Sequence, residues 1–414
     1  MWQTFKNYYH FLTAWAFQLR YGFPCRKLKV IGITGTDGKT TTSSLIHHVL
    51  TSAGKKASLI TSVAAVIGGK AYDTGFHVTT PDPQDIPRYM AEAVNRGDEY
   101  FVFEITSHGL EQHRAAGVRF IRSGITNITH EHLGYHKTFE NYVAAKAKIA
   151  RLSQCTLVNA DQPDIVEKVR KLSPHAHIKT FGLRNAADYD RDVTTELQRY
   201  VEPFNKYNIL LAYGICHELG VADDVFLKAV ASFQYPPGRM EEIYRGPFIV
   251  VSDFAHTPNA IAHALAAVLE KYKTSTRLIH VFGAAAFRDD SKRPEMGRAS
   301  ATHASITILT EEDYRTEDPE RIFAMLAQGL EECGMHEVHA QAAVDSIPNK
   351  SYMKILNREE ALRKAIDIAK SGDVIIVTGK AQEKSLCRGT TEYPYDEKVL
   401  LQGLIAEKGK STAQ

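Results

Sequence analysis

The chain has 414 residues, 44% hydrophobic and 24% charged, which suits two or three folded domains and excludes a disordered or collagen-like chain. Its 50 lysines and arginines against 48 acids leave a net charge of +2, so no global basic field gathers nucleic acid. Cys25, Cys155, Cys216, Cys333 and Cys387 are scattered and form no C-x-x-C pair, which excludes a disulfide framework or zinc ribbon and points to the reducing cytoplasm.

The first acidic residue is Asp37, and Lys6, Arg20, Arg26, Lys27 and Lys29 precede it. Phe5, Tyr8, Leu12, Trp15 and Leu19 recur at three/four spacing, which predicts a basic, aromatic, amphipathic helix over 5–21. Such a helix packs on the body of its own protein, lies peripherally on an anionic membrane, or docks a partner. It is too short and too polar to span a bilayer, and it lacks the small-residue cleavage site of a secretory signal.

From residue 28 short apolar runs alternate with helical periods. Leu28–Thr34, Tyr100–Ile105, Ser123–Asn127 and Thr156–Asn159 read as buried strands, and Thr40–Ser52 as a helix stopped at Gly54. This alternation predicts an α/β fold with a doubly wound, mainly parallel sheet. Tyr235-Pro236-Pro237-Gly238 interrupts both periods and is the expected domain break. Beyond it, strands at Phe248–Ser252, Leu278–Phe282, Ile306–Leu309 and Val374–Val377 alternate with helices at Pro258–Tyr272 and Arg358–Ser371, as in a smaller Rossmann-like domain. The expected divisions are thus a helical segment 1–27, a central domain 28–235 and a C-terminal domain 236–414.

Strand Val30–Thr34 runs into Gly35-Thr36-Asp37-Gly38-Lys39-Thr40-Thr41-Thr42 and then a helix, the mechanical setting of a phosphate-binding loop. Glycines let amide N–H groups close on phosphate oxygens, and the helix N-terminus adds a favourable dipole. Lys39 would reach the β- and γ-phosphates, and the Thr40 hydroxyl a magnesium ion. The strict G-x-x-x-x-G-K-[ST] spacing fails, because position 33 is Ile33.

Glu104 ends an apolar strand, where an open α/β sheet places its ligand site. Asn127 closes another strand and leads into His130-Glu131-His132-Leu133-Gly134-Tyr135-His136, which lacks the H-E-x-x-H of a zincin. One imidazole with carboxylates beside a phosphate loop suits magnesium better than zinc. Lys146 falls on a helical stretch, Tyr142–Ile149, where a lysine is ordinarily a solvated charge.

These motifs resemble those of the Mur ligases, most nearly the UDP-N-acetylmuramoyl-tripeptide synthetase type. The likeness extends over Thr79-Thr80-Pro81-Asp82-Pro83, Glu104-Ile105-Thr106-Ser107-His108-Gly109, Phe204-Asn205, Gly238-Arg239-Met240-Glu241, Asp253-Phe254-Ala255-His256-Thr257-Pro258 and Lys292-Arg293-Pro294-Glu295. It implies an ATP-dependent, ADP-forming amide ligase of peptidoglycan precursor synthesis. ATP activates the carboxylate of UDP-N-acetylmuramoyl-L-alanyl-D-glutamate as an acyl phosphate, and an amino acid, expected to be a diamino acid, attacks it. The resemblance gives catalytic roles to Lys39, Glu104, His132 and Lys146. It makes Thr40, Glu104, His132 and a carbamylated Lys146 the magnesium ligands. The ATP site would comprise Gly35, Thr36, Asp37, Gly38, Lys39, Thr40, Thr41, Asn127 and Asn208, with Arg239, Asp253, His256 and Asn259 from the C-terminal domain. Thr79, Thr80, Ser107 and Arg114 match acceptor contacts, and Arg288, Asp313, Arg315, Gly379 and Glu383 the amino-acid pocket.

Four stretches depart from the family pattern. Asp-His-Leu-Asp reads Glu131-His132-Leu133-Gly134, and the glycine-rich loop reads Gly283-Ala284-Ala285-Ala286-Phe287. Asp-Asn-Pro-Arg reads Glu312-Asp313-Tyr314-Arg315, and Gly-Lys-Gly-His-Glu reads Gly379-Lys380-Ala381-Gln382-Glu383. Such enzymes also carry a uridine-binding domain ahead of the phosphate loop. Here Lys39 arrives sooner than the roughly 50 residues a domain needs, so that domain is expected to be missing. Two other readings stand beside this one: a ligase using the same chemistry on another carboxylate, of poly-γ-glutamate or folate type, and, from the departures at Ala284–Phe287, a weakened homologue acting as a binding scaffold.

Overall fold

The computed structural model describes residues 2–72, 80–131, 133–197, 201–273, 277–343 and 346–411. The chain divides into two compact units, Met1–Pro236 and Pro237–Gln414. The first opens with a helix, Trp2–Arg20. Its strands are β1 (Lys29–Thr34), β2 (Ala57–Ile60), β3 (Ala65–Ile67), β4 (Lys70–Tyr72), β5 (Tyr100–Glu104), β6 (Arg122–Ile125), β7 (Thr156–Asn159) and β8 (Ile178–Phe181). They form one sheet in the order β4-β3-β2-β5-β1-β6-β7-β8. Pairing is parallel from β2 to β8, and only β2–β3 and β3–β4 are antiparallel.

Alternation along β1 and β5 shows that both sheet faces are covered. Val30, Phe101 and Phe103 enter one core with the helices Asp85–Asn95, Phe139–Arg151 and Pro163–Leu172. Ile31, Ile33, Tyr100 and Val102 enter the other with Lys39–Ser52, Pro203–Glu218 and Asp223–Ser232. That two-sided burial explains why these strands read as unbroken apolar runs. β1 lies between β5 and β6, although the chain runs from β1 to β2 first. The strand order therefore switches direction beside β1, where an open parallel sheet leaves a crevice at its carboxyl ends.

The second unit holds β9 (Glu241–Arg245), β10 (Ile249–Asp253), β11 (Leu278–Phe282), β12 (Ile306–Leu309), β13 (His336–Glu337), β14 (Ser351–Lys354) and β15 (Val374–Thr378). Their order is β13-β14-β12-β11-β15-β10-β9, parallel except for β9–β10. Val250, Ile279, Val281, Ile306, Ile308, Ile375 and Val377 pack with the helices Arg358–Ile368 and Glu397–Ser411. β16 (Ser385–Arg388) and β17 (Thr391–Pro394) form a separate two-stranded hairpin. The helix expected to reach Ser371 stops at Ile368, because Ala369 is already extended and its amide bonds back to Ile366. Gly54 lies one residue beyond the cap Ala53, with φ +73°. Among the described residues no helix is long and apolar enough to cross a membrane.

Candidate active site

The phosphate loop is closed by the loop that follows β6. Thr36 N donates to Asn127 O (2.8 Å), Asp37 N to Asn127 Oδ1 (3.1 Å), and Asn127 Nδ2 to Asp37 O (3.1 Å). Thr126 Oγ1 adds a 2.6 Å bond to Asp37 O. Two positions there require glycine. Gly35 has φ +148°, and a Cβ on it would stand 1.8 Å from Thr126 Oγ1. Gly38 has φ +83°, and its Cβ would stand 2.1 Å from Asn208 Oδ1. Asn208, from the helix Pro203–Glu218, is fixed in turn by Asn205 (2.9 Å), and Asn205 by Glu202 (2.9 Å). The helix Lys39–Ser52 starts at the end of the loop, so its first-turn amides face it. Lys39 Nζ folds over to Thr36 O at 2.8 Å, and Thr41 is buried in the first turn.

Glu104, buried at the end of β5, meets the first turn of that helix. Its Oε2 accepts from Thr40 Oγ1 (3.0 Å) and from Ser62 N (3.0 Å). Thr40 and Ser62 hydroxyls are themselves 3.0 Å apart. Ser62 was not legible beforehand, since a serine after a short strand carries no pattern.

Lys146 is 2% exposed, in contrast to the surface lysine that its residue type alone suggests. Its Nζ donates to Gly35 O at 2.6 Å and lies 4.6 Å from the centre of the Tyr142 ring. Burial, reinforced by the Lys39 ammonium, drives the Lys146 amine well below the usual lysine range. Tyr142 OH is 3.0 Å from Thr36 Oγ1, and burial pushes that phenol well up. One helical turn therefore grips two consecutive loop residues. His132 and Thr79 lie outside the described residues. Among the described residues, no group of three or more His, Cys, Asp or Glu is placed to hold a metal.

Of the residues matched to the acceptor, Thr80, Ser107 and Arg114 are described, and Thr80 links to Arg114 and to Thr106, the neighbour of Ser107. Thr80 Oγ1 accepts from Thr106 N (2.9 Å), and Arg114 Nη1 donates to Thr80 O (2.7 Å). Ser107 Oγ and His136 Nε2 are hydrogen-bonded at 3.0 Å. Burial takes the His136 imidazole down to about 4, so it is neutral near pH 7.

In the second unit Asp253 anchors its loop rather than standing open. It accepts from Met240 N (2.7 Å) and Ala255 N (2.8 Å). The Arg239 guanidinium lies 4.9 Å from the Phe254 ring centre, and His256 Nδ1 is 2.8 Å from Phe254 O. Asn259 sits in the first turn of the helix Pro258–Tyr272. Asp313 Oδ1 accepts from Lys380 Nζ (2.8 Å) and Cys387 N (2.9 Å), and Lys380 Nζ also donates to Glu383 Oε2. The ammonium that Asp313 holds is thus the protein's own. A Cβ on Gly379 would meet Glu312 Oε2 at 2.9 Å, and burial raises the Glu312 carboxyl. Ala286 N bonds Asp313 O (2.9 Å), tying to Asp313 the loop that carries exposed Arg288. Arg315 is bridged to Arg388 with its backbone at φ +50°. Besides Ser62, Lys380 and Glu312 join this network without a role in the sequence reading. Their signal was a Gly-Lys pair after a buried strand and an acid beside Asp313.

Two family models match this chain: the Mur ligase middle domain over residues 33–214, and the Mur ligase, glutamate ligase domain over residues 238–381. The UDP-N-acetylmuramoyl-L-alanyl-D-glutamate–2,6-diaminopimelate ligase of Clostridium botulinum is 32% identical over 408 residues, which is 94% of this chain and 80% of that protein. A solved structure of a UDP-N-acetylmuramoyl-L-alanyl-D-glutamate–2,6-diaminopimelate ligase is 27% identical with a TM-score of 0.57, covering 92% of this chain and 79% of its own. E. coli FolC, solved with DHPP and ADP, shares the fold at 15% identity and a TM-score of 0.66, covering 94% of this chain and 92% of its own. The chain belongs to the Mur ligase family.

Proposed function

We propose that this protein is an ATP-dependent, ADP-forming ligase that joins a diamino acid to UDP-N-acetylmuramoyl-L-alanyl-D-glutamate. The observation that supports it best is the Lys146 amine, buried and bonded to Gly35 O within the phosphate loop that also bears Lys39. A carboxylate oxygen of the acceptor attacks the γ-phosphorus of ATP, the bond to ADP breaks, and an acyl phosphate forms. The amine of the diamino acid then attacks the acyl carbon, its proton departs, and phosphate leaves as the amide forms. Loop amides and Lys39 offset the charge on the transferred group.

Thr40 Oγ1 and the Glu104 carboxylate, side by side at the loop, are hard oxygen donors that fit magnesium. Bound there, magnesium would supply positive charge against the phosphate oxygens. We assign His132 to the same set. Burial makes the Lys146 amine easier to deprotonate and so suits it to add CO2: once deprotonated, its lone pair forms a C–N bond, a proton is released, and a carbamate with two oxygen donors results. Thr79, Thr80, Ser107 and Arg114 are assigned to the acceptor. Asn208, Arg239, Asp253, His256 and Asn259 are assigned to the nucleotide. Arg315 is assigned to the amino-acid carboxylate, with Arg288, Asp313, Gly379 and Glu383 around it.

The test is phosphate release from ATP with a panel of acceptors and amino acids. Release that requires both the UDP-muramoyl dipeptide and a diamino acid is expected. Release that instead follows a folate or a poly-γ-glutamate acceptor would replace the substrate assignment, and ATP binding without release for any pair would leave only a scaffold.

A further inference from the structure

The helix Trp2–Arg20 is packed the wrong way round for an ordinary surface helix. The side it turns to its own unit carries His10, Ala14 and Gln18, all buried, at spacing of four. Gln18 lies against Gly117 and the Cys25 thiol. The opposite stripe, Tyr8, Leu12, Trp15 and Leu19, is exposed by 61%, 49%, 41% and 69%. A helix buries its apolar stripe when its own core needs it. This one buries the small and polar side and presents the aromatic side to the outside. Lys6 and Arg20 on the helix, and Arg26 and Lys27 just after it, are exposed, and no acid occurs before Asp37.

We propose that this stripe is a docking face for an anionic lipid bilayer. Tyr and Trp sit at the headgroup level, where an apolar ring and a polar edge are both satisfied, and leucines enter the acyl boundary. The exposed cations on and just after the helix complement the negative charge of anionic headgroups, a complementarity that a neutral bilayer lacks.

Both tryptophans of the chain, Trp2 and Trp15, lie in this helix, so intrinsic tryptophan emission reads it alone. The full chain is mixed with vesicles of phosphatidylcholine containing one quarter phosphatidylglycerol, and with pure phosphatidylcholine vesicles. The expected result is co-sedimentation and a blue-shifted emission with the anionic vesicles only, reversed by raising salt to about 0.5 M. Leu12→Glu/Leu19→Glu changes two exposed positions and is expected to keep the melting temperature while lowering the bound fraction about tenfold. Trp2→Phe is expected to retain the shift through Trp15. Equal binding to neutral vesicles would overturn the electrostatic part. No binding to either would overturn the proposal, and a concentration-dependent dimer in sedimentation velocity, abolished by the same double variant, would assign the stripe to a second copy.

Discussion

Two lysines, one in each unit, are buried beside a glycine loop at the end of a parallel strand, and they are opposites. Lys146 is 2% exposed and Lys380 0%. Among the described residues no carboxylate bonds Lys146 Nζ; it has a loop carbonyl and an aromatic face. Its amine falls well below the lysine range through burial. Burial acts on Lys380 in the same direction, but Glu383 and Asp313 overcome it and hold the ammonium above its usual value. Burial alone therefore does not decide what a lysine does. A buried amine that bonds a carbonyl and faces a ring is pushed towards losing its proton, and one bonded by two carboxylates is a fixed countercharge.

The contrast can be broken at either end. Lys146→Ala should lower phosphate release by about a thousandfold, the scale of losing one charge-stabilising group at the transferred phosphoryl. Short carboxylic acids should restore part of it; intact mass that never shows added CO2, together with no rescue, would refute the carbamate. Lys380→Met should cost about 3–5 kcal/mol in urea unfolding of the second unit, because Asp313 and Glu383 are left as uncompensated charges. An unchanged midpoint would mean that the pair is already solvated.

His280 sharpens the same lesson without a carboxylate. It is wholly buried, lying 2.8 Å from Ser300 Oγ and 3.0 Å from Thr378 Oγ1, and burial lowers its imidazole from 6.5 to about 3. Below 6.5 the unfolded chain binds the extra proton and the folded chain does not. The stability this group confers is therefore complete above pH 6.5 and lost as pH falls from 6.5 towards 3, with a slope of up to about 1.4 kcal/mol for each pH unit. His280→Asn should flatten that part of the unfolding profile; an unchanged slope would place the pH dependence elsewhere. The smallest effect belongs to Lys146→Met. It should alter stability by less than about 1 kcal/mol, since it replaces a buried amine with a side chain of similar volume. A large loss there would show that the Gly35 bond holds the loop together.

The sheet strands and the phosphate loop were legible because their signals are local: unbroken apolar runs, and a Gly-Lys-Thr between a strand and a helix. The hairpin Ser385–Pro394 and the short β3 and β13 were not, because two to four residues carry no period. The buried state of Lys146 was also invisible in its own segment. It depends on Gly35, 111 residues away, and on the ring of Tyr142. The N-terminal stripe shows another limit. Periodicity marks the helix and its apolar face, but which face meets the body depends on Gln18 and His10 finding places against it, and no spacing encodes that.

The bond from Lys146 Nζ to Gly35 O also bears on how the proposed carbamate would stand. A neutral amine has two hydrogens, and addition of CO2 consumes one. The remaining N–H can keep its 2.6 Å partner. The carbamate would then be joined through a nitrogen already bonded to the loop. A peptide carbonyl chosen by backbone geometry would thus act as a jig for a group that the gene does not encode.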